Sequence, residues 1–414
     1  MTLDEALHRL RDTGPERAGW LSNHAPMAVE AMVRHGRADR VHRWIDTYRD
    51  QLEDAPRGIA RITPDEWRDP LGDPTRTGDW LAFFDRKLRT APWRDVLAIW
   101  WPRLLPGIAA GATHGVIRVG HAVRALLDHE TPERTAELAQ GLGYWAARWQ
   151  PLAPPGRGPY PAIDPRAALD AVPRIPDQRF GIRSRLAQLA ELPTWPQTAG
   201  AVPAGNATTA NPTAGAVPTA DATTAIPTAG AVPTADATTA DPTSGAVPAG
   251  NAAKASPTVG AANAKPAGAV AEARLAAAVA GTAPDRLRAI VAAAVVRYRS
   301  FGHGSPVMLV HAATAPAAVL RTLPALPSEL AAPSLAAAWA AAAAVTAAYT
   351  PATPDPSAAE PADPSWTATN IFDEAMISGD AHAIKFADAA IEMWQAVPDP
   401  ALLAAARHAT RLIG

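Results

Sequence analysis

The chain has 414 residues, 40 acidic against 38 basic side chains, a formal charge of -2 and no cysteine, with an isoelectric point near 6.6. That balance argues against a dedicated nucleic-acid binder. The missing thiol excludes disulfides, thiolate metal sites and a cysteine nucleophile together, so any metal must be held by nitrogen and oxygen.

The N-terminus, "MTLDEALHRLRDTGPERAGW", is charged, lacks an apolar signal core and reads as an amphipathic helix. Its Glu5-Ala6-Leu7-His8 is a lone Glu-x-x-His on an exposed-looking face, whereas a helical di-iron carboxylate site needs two such motifs. Residues 25–51 carry Val29, Met32, Val33, Val41, Trp44, Ile45 and Tyr48 in near-helical spacing, with Gly36 as the break between two helices. A short helix stopping near Pro102 and a longer one from near Pro106 are expected next. Thr131, followed by Pro132 and Glu133, marks a helix start.

From Thr198 the motif "TAGAVP" recurs at Thr213 and Thr228, becomes "TSGAVP" at Thr243 and fades to "TVGAAN" at Thr258, a period of 15. A repeat so poor in bulky apolar side chains buries no core, and its Ala, Thr, Pro and Gly content predicts a disordered insert. Beyond it, residues 271–299 are again periodic, and Ser305 to Leu323 predicts two short helical pieces around Pro316. Strand signals are sparse. The expected fold is all-α: a single multi-helical catalytic domain with an N-terminal half at 1–197 and a C-terminal half at 269–414, interrupted by the insert at 198–268. The closest approach to a membrane span, Leu335 to Tyr349, is short and alanine-rich, so a soluble cytoplasmic protein is expected.

Common cofactor signatures are missing. Gly302 and Gly304 form a G-x-G without a third glycine or a preceding strand, no Walker loop occurs, and "GATHG" lacks a nucleophilic serine. Histidine remains, with eleven copies. His8, His35, His42, His129 and His408 lie beside Arg, Asp or Glu and read as solvated faces. His24, His114, His311 and His382 are embedded in apolar or small residues near helix starts.

His121 follows His114 by seven residues, about 10.5 Å further along a helix, too far to share one ion with it. It suits a supporting or substrate-facing role instead. Arg118, between them, either orients an anionic or phenolic oxygen or makes a surface ion pair. In "DAHAIKFADAA" Lys385 shares a helix face with His382. Either it snorkels to solvent past a satisfied core histidine, or it is buried and then paired, neutral or chemically altered. Trp100, Trp101 and Trp145 serve either core packing or the wall of a pocket for a planar ring.

Five blocks occurring in order, "NHAPM" at Asn23, "LLPGIAAGATHGVIRVGHA" at Leu104, "GLGYWAARW" at Gly141, "LVHAATAP" at Leu309 and "GDAHAIKFADAA" at Gly379, resemble the questin oxidase-like family. The resemblance implies an all-α enzyme that uses O₂ to open quinone rings of aromatic polyketides. It implies either an Fe(II) oxygenase with iron held by histidines and a carboxylated lysine, or an NADPH-dependent Baeyer-Villiger monooxygenase without metal. Carried over residue by residue, the ligands would be His24, His114, His311, His382 and Lys385, with Arg118 and His121 as catalytic candidates. Burial and neighbouring cations depress a lysine pKa, which makes reaction with CO₂ feasible. The expected partners are a small aromatic or quinone substrate and O₂, with neither nucleic acid nor membrane. A helical binding protein for a hydrophobic metabolite, with structural histidines, is the alternative of a different class.

Overall fold

The structure, a computed structural model, describes residues 2–19, 21–156, 163–203, 281–359 and 362–414. Met1–Ala207 and Arg274–Gly414 form one compact unit. The repeat insert lies outside the described residues beyond Pro203, but its first residues, Thr198 to Pro203, belong to the helical body. Thr198 sits in a helix, its carbonyl accepts from Trp339 Nε1 at 2.8 Å, and Arg286 donates to the Val202 and Pro203 carbonyls.

The fold is all-α. Its first part runs through α1 (Leu3–Leu10), α2 (Ala25–Arg34), α3 (Val41–Arg49), α4 (Thr77–Thr90), α5 (Trp93–Leu104), α6 (His114–Asp128) and α7 (Pro132–Ala147). Three short helices follow, α8 (Pro165–Asp170), α9 (Ile182–Ala187) and α10 (Trp195–Gly200). After the insert come α11 (Ala283–Phe301), α12 (Pro306–Leu309), α13 (His311–Thr322), α14 (Ala331–Tyr349), α15 (Ala368–Ser378), α16 (Ala381–Ala396) and α17 (Pro400–Ile413). Beside them lies a small antiparallel sheet in the order β2 (Leu21–Ser22), β1 (Thr13–Arg17), β3 (Leu52–Asp54).

Local chemistry accounts for many of the boundaries. Thr2 and Glu5 make a reciprocal capping box on α1, and Thr131 accepts from the Arg134 amide to start α7. Gly36, at φ +72°, makes the turn that separates α2 from α3. Two expected boundaries move. Pro102 stays within the last turn of α5, and Pro316 lies inside a continuous α13. Each removes one backbone donor without ending its helix. The helix expected from Pro106 begins only at His114, because Gly111, Ala112 and Thr113 adopt left-handed φ of 54°, 56° and 66° in succession.

Trp100 packs into an aromatic cluster with Trp80, Phe83 and Phe84, while Trp101 and Trp145 meet edge to face at 5.4 Å. Pro306–Ala325 and Ser328–Tyr349 are long and apolar enough to cross a membrane, which the sequence reading did not anticipate. Most of each is buried inside the fold, so their apolar faces serve this protein's own core.

Four helices position the centre of the molecule. At one end His24 caps α2, His114 and His311 open α6 and α13, and His382 is the second residue of α16. Further along, a Cβ on Gly120 of α6 would lie 2.6 Å from Ala318 of α13, so the two backbones cross in close contact. Beyond that crossing, Glu30, Arg124, Arg321 and Asp388 meet. Contacts between first turns and again between later turns mean that all four helices leave the histidine end in the same direction.

Candidate metal centre

Each histidine is brought in by its own local device. For His24, the Asn23 side chain donates to the Gly14 carbonyl of β1 at 2.9 Å and accepts from the Ala25 amide, fixing the start of α2 to the sheet. The His24 amide donates to Tyr48 Oη at 3.2 Å. For His114, the left-handed turn brings the Gly111 carbonyl to 2.7 Å from Nδ1. Left-handed backbone at Ala112 and Thr113 stores strain of the kind found at functional sites. Nδ1 of His311 donates to the Met308 carbonyl at 3.0 Å, and Nδ1 of His382 lies 3.1 Å from Asp380, the carboxylate that caps α16.

The four rings converge. His24 Nε2 and His114 Nε2 are 2.8 Å apart, and His311 Nε2 lies 3.0 Å from the same His114 nitrogen. The ring of His382 is 4.3 Å from that of His24 and 5.6 Å from that of His311. Ligating nitrogens of His24, His114 and His382 all lie within 4.8 Å of one another. A carbonyl oxygen can only accept, so His114 and His311 both spend their Nδ1 protons and turn lone-pair nitrogens at each other. Two acceptors at 3.0 Å repel unless a cation lies between them.

An imidazolium does not supply that cation. Burial, followed for His114 by the charges of His311 and Lys385 and for His311 by those of His382 and Lys385, holds the pKa of both rings well below the ordinary imidazole value. His24 is depressed in the same way by burial and by Lys385. A metal ion does fit: nitrogens about 2.0–2.1 Å from one ion, in adjacent positions of an octahedron, lie about 2.8–3.0 Å apart. Fixing Nδ1–H to a carbonyl or carboxylate is also how proteins orient metal-binding histidines.

Lys385, one turn after His382, is 1 % exposed and its Nζ has no hydrogen-bond partner among the described residues. Burial pushes its pKa down to about 7, opposed by Asp380 and assisted by Arg17. Its charge acts on all four imidazoles. The amine is thus buried away from solvent, within electrostatic range of the cluster. Four helix N-termini converge here, and their dipoles favour neutral imidazoles and an anionic ligand.

Arg118 and His121 are not brought to this cluster. Arg118 makes a bidentate pair with Glu137 of α7, at 2.5 and 2.8 Å, beside a cleft lined by Leu7, Glu133 and Gln140. His121 Nδ1 donates to Glu30 at 2.6 Å, and its Nε2 accepts from Arg321 at 3.2 Å. Burial, opposed by Glu30, lowers its pKa to about 4. Arg17 on β1 lies over the Tyr48 ring at 5.6 Å and donates from Nη1 to Gln51 at 2.7 Å; its charge reaches His382 and Lys385, and its buried Nε has no partner among the described residues. His8, His42 and His129 are exposed as expected. His35 and His408 are not, and His35 lies 3.0 Å from buried Asp388.

Sequence reading missed Asp380, Arg17, Glu30 and Asp388. For Glu30 and Asp388 a signal existed: each is a lone charge in an apolar helical run, "MAVEAM" and "FADAAI". That feature is the one that drew attention to Lys385.

Fold and site together define an all-α protein built around a buried polyhistidine centre competent to hold a metal. Residues 21–147 match the family model described as Questin oxidase-like, which supports assigning the chain to that family. The match contains His24 and His114, while His311, His382 and Lys385 lie beyond it. Among curated proteins, none matches the chain.

Proposed function

We propose that the protein is a non-haem iron oxygenase that opens the quinone ring of an aromatic polyketide, with His24, His114, His311, His382 and a carboxylated Lys385 holding Fe(II). The family match supports the coarser statement, an oxidoreductase acting on a small molecule. One observation carries the finer reading. The lone-pair nitrogens of His114 and His311 face each other at 3.0 Å with both Nδ1 protons committed elsewhere.

Lys385 completes the ligand set by its own chemistry. With a pKa near 7 a large share of the amine is neutral at neutral pH. Its lone pair attacks the carbon of CO₂, a nitrogen–carbon bond forms, one N–H proton leaves to solvent, and a carbamate of charge -1 results. That group supplies the anionic oxygen that four neutral imidazoles lack, and mixed nitrogen and oxygen ligation suits iron(II). Iron(II) held there would supply the electrons that make O₂ reactive towards an electron-rich ring. Arg17, with its free Nε, is the cation available to hold an anionic or phenolic oxygen of the substrate.

Protein reconstituted anaerobically with Fe(II) and mixed with hydroxylated anthraquinones under ¹⁸O₂ is expected to consume oxygen and yield a ring-opened, ¹⁸O-labelled product. Iron-loaded protein that consumes no oxygen with any such quinone would contradict the proposal.

A further inference from the structure

We infer that the buried ion cluster of Glu30, Arg124, Arg321 and Asp388 is a positioning device that sets the register of the four helices carrying the histidines. The inference rests on the metal reading of the histidine centre. Each of the four helices that present the converging histidines also contributes a charge to this cluster. Glu30 comes from α2, Arg124 from α6, Arg321 from α13 and Asp388 from α16.

The connections cross all four helices. Arg124 donates to Glu30 Oε1 at 2.9 Å and to Asp388 Oδ2 at 2.9 Å, and Arg321 reaches the same Asp388 oxygen at 2.8 Å. His121 bridges Glu30 to Arg321, Glu392 pairs with Arg321 at 2.7 Å, and His35 lies against the other Asp388 oxygen. The Asp388 side chain is fully buried. Ligand atoms of Glu30, His121 and Asp388 lie within 4.8 Å of one another, but the two guanidinium groups already occupy the carboxylate oxygens.

Apolar packing alone specifies these registers poorly. Between His311 and Arg321, α13 reads "AATAPAAVL", and α16 reads "FADAAI" beyond Lys385. Such small side chains make low ridges, which resist axial sliding weakly. A slip of one residue moves a helix by about 1.5 Å. That distance is comparable to the whole metal–nitrogen bond, so one slipped helix withdraws its ligand. Directional charge pairs resist the slip. Buried ion pairs often stabilise no more than apolar side chains would, and fixing register is their best-attested use.

Co(II) is the probe, read by chelator competition and by its visible absorption. Asp388→Asn keeps the shape and removes the charge. It is expected to retain helical circular dichroism, to bind Co(II) at least about tenfold more weakly than wild type, and to shift the Co(II) bands. Phe84→Leu, in the aromatic cluster of α4, is expected to lower the melting temperature while leaving Co(II) affinity and spectrum unchanged. Should Asp388→Asn fail to fold, Glu30→Gln is read in its place with the same expectation. A folded Asp388→Asn or Glu30→Gln protein with wild-type Co(II) affinity and spectrum overturns the positioning role. Wild-type protein that takes up no Co(II) overturns the metal reading, and the inference with it.

Discussion

Replacing Lys385 with Met is expected to abolish metal retention and, in the metal-free protein, to raise the melting temperature. Both effects follow from one buried amine. In the folded chain its pKa is about 7, against 10.5 unfolded. Above the unfolded value the amine is neutral in both states and imposes no ionisation cost. As pH falls from 10.5 to 7 the unfolded chain takes up the proton and the folded chain does not, so stability drops. Below about 7 the loss is complete, on the order of 4–5 kcal/mol at 1.36 kcal/mol per pKa unit. Methionine fills similar space without a charge, so its advantage grows as pH falls towards 7 and is constant below it. Thermal melts at pH 6 and pH 10 check this: a gain at pH 6 that shrinks at pH 10 is expected, and an equal gain at both would contradict it. Lys385→Ala adds a second arm, because acetate or propionate should enter the vacated space and restore metal binding. No rescue, with metal content unchanged from wild type, would count against a carboxylated lysine.

His114→Ala is expected to lower metal affinity by more than about a hundredfold, beyond the 10–100-fold typical of an outer-shell partner. This ring is the hub of the cluster, touching both His24 and His311 through one nitrogen. Removing it also takes away one of the two donors to the Gly111 carbonyl, leaving the backbone amide of residue 114 at 3.2 Å. Arg118→Gln provides the contrast: it breaks the pair with Glu137 of α7 and is expected to change stability while leaving metal uptake intact. Metal titrations of the two variants decide the point, and equal loss in both would mean that the site extends to Arg118.

Much of this was legible in the sequence because buried polar residues stand out against alanine. His24, His114, His311, His382 and Lys385 each interrupt an apolar run, and the structure gathers the four histidines and buries the lysine one turn after His382. The helix start marked by Thr131 was readable from capping chemistry. The start of α6 was not, because left-handed φ at Ala112 and Thr113 is imposed by the site and contradicts what those residues prefer. Pro102 and Pro316 misled for the converse reason: tertiary packing tolerates a missing backbone bond that local rules treat as a boundary. The role of Arg17 was hidden because a strand residue has no helical periodicity linking it to its neighbours. Arg118, nearer in sequence to His114, finds its partner on another helix.

The most direct measurement is the iron content of the purified full-length protein after anaerobic loading and desalting. About one iron per chain in wild type, falling below about one tenth in His114→Ala and Lys385→Met, is the expected result for a centre of four imidazoles and one carbamate. Less than one tenth of an iron per chain in the wild type would contradict it.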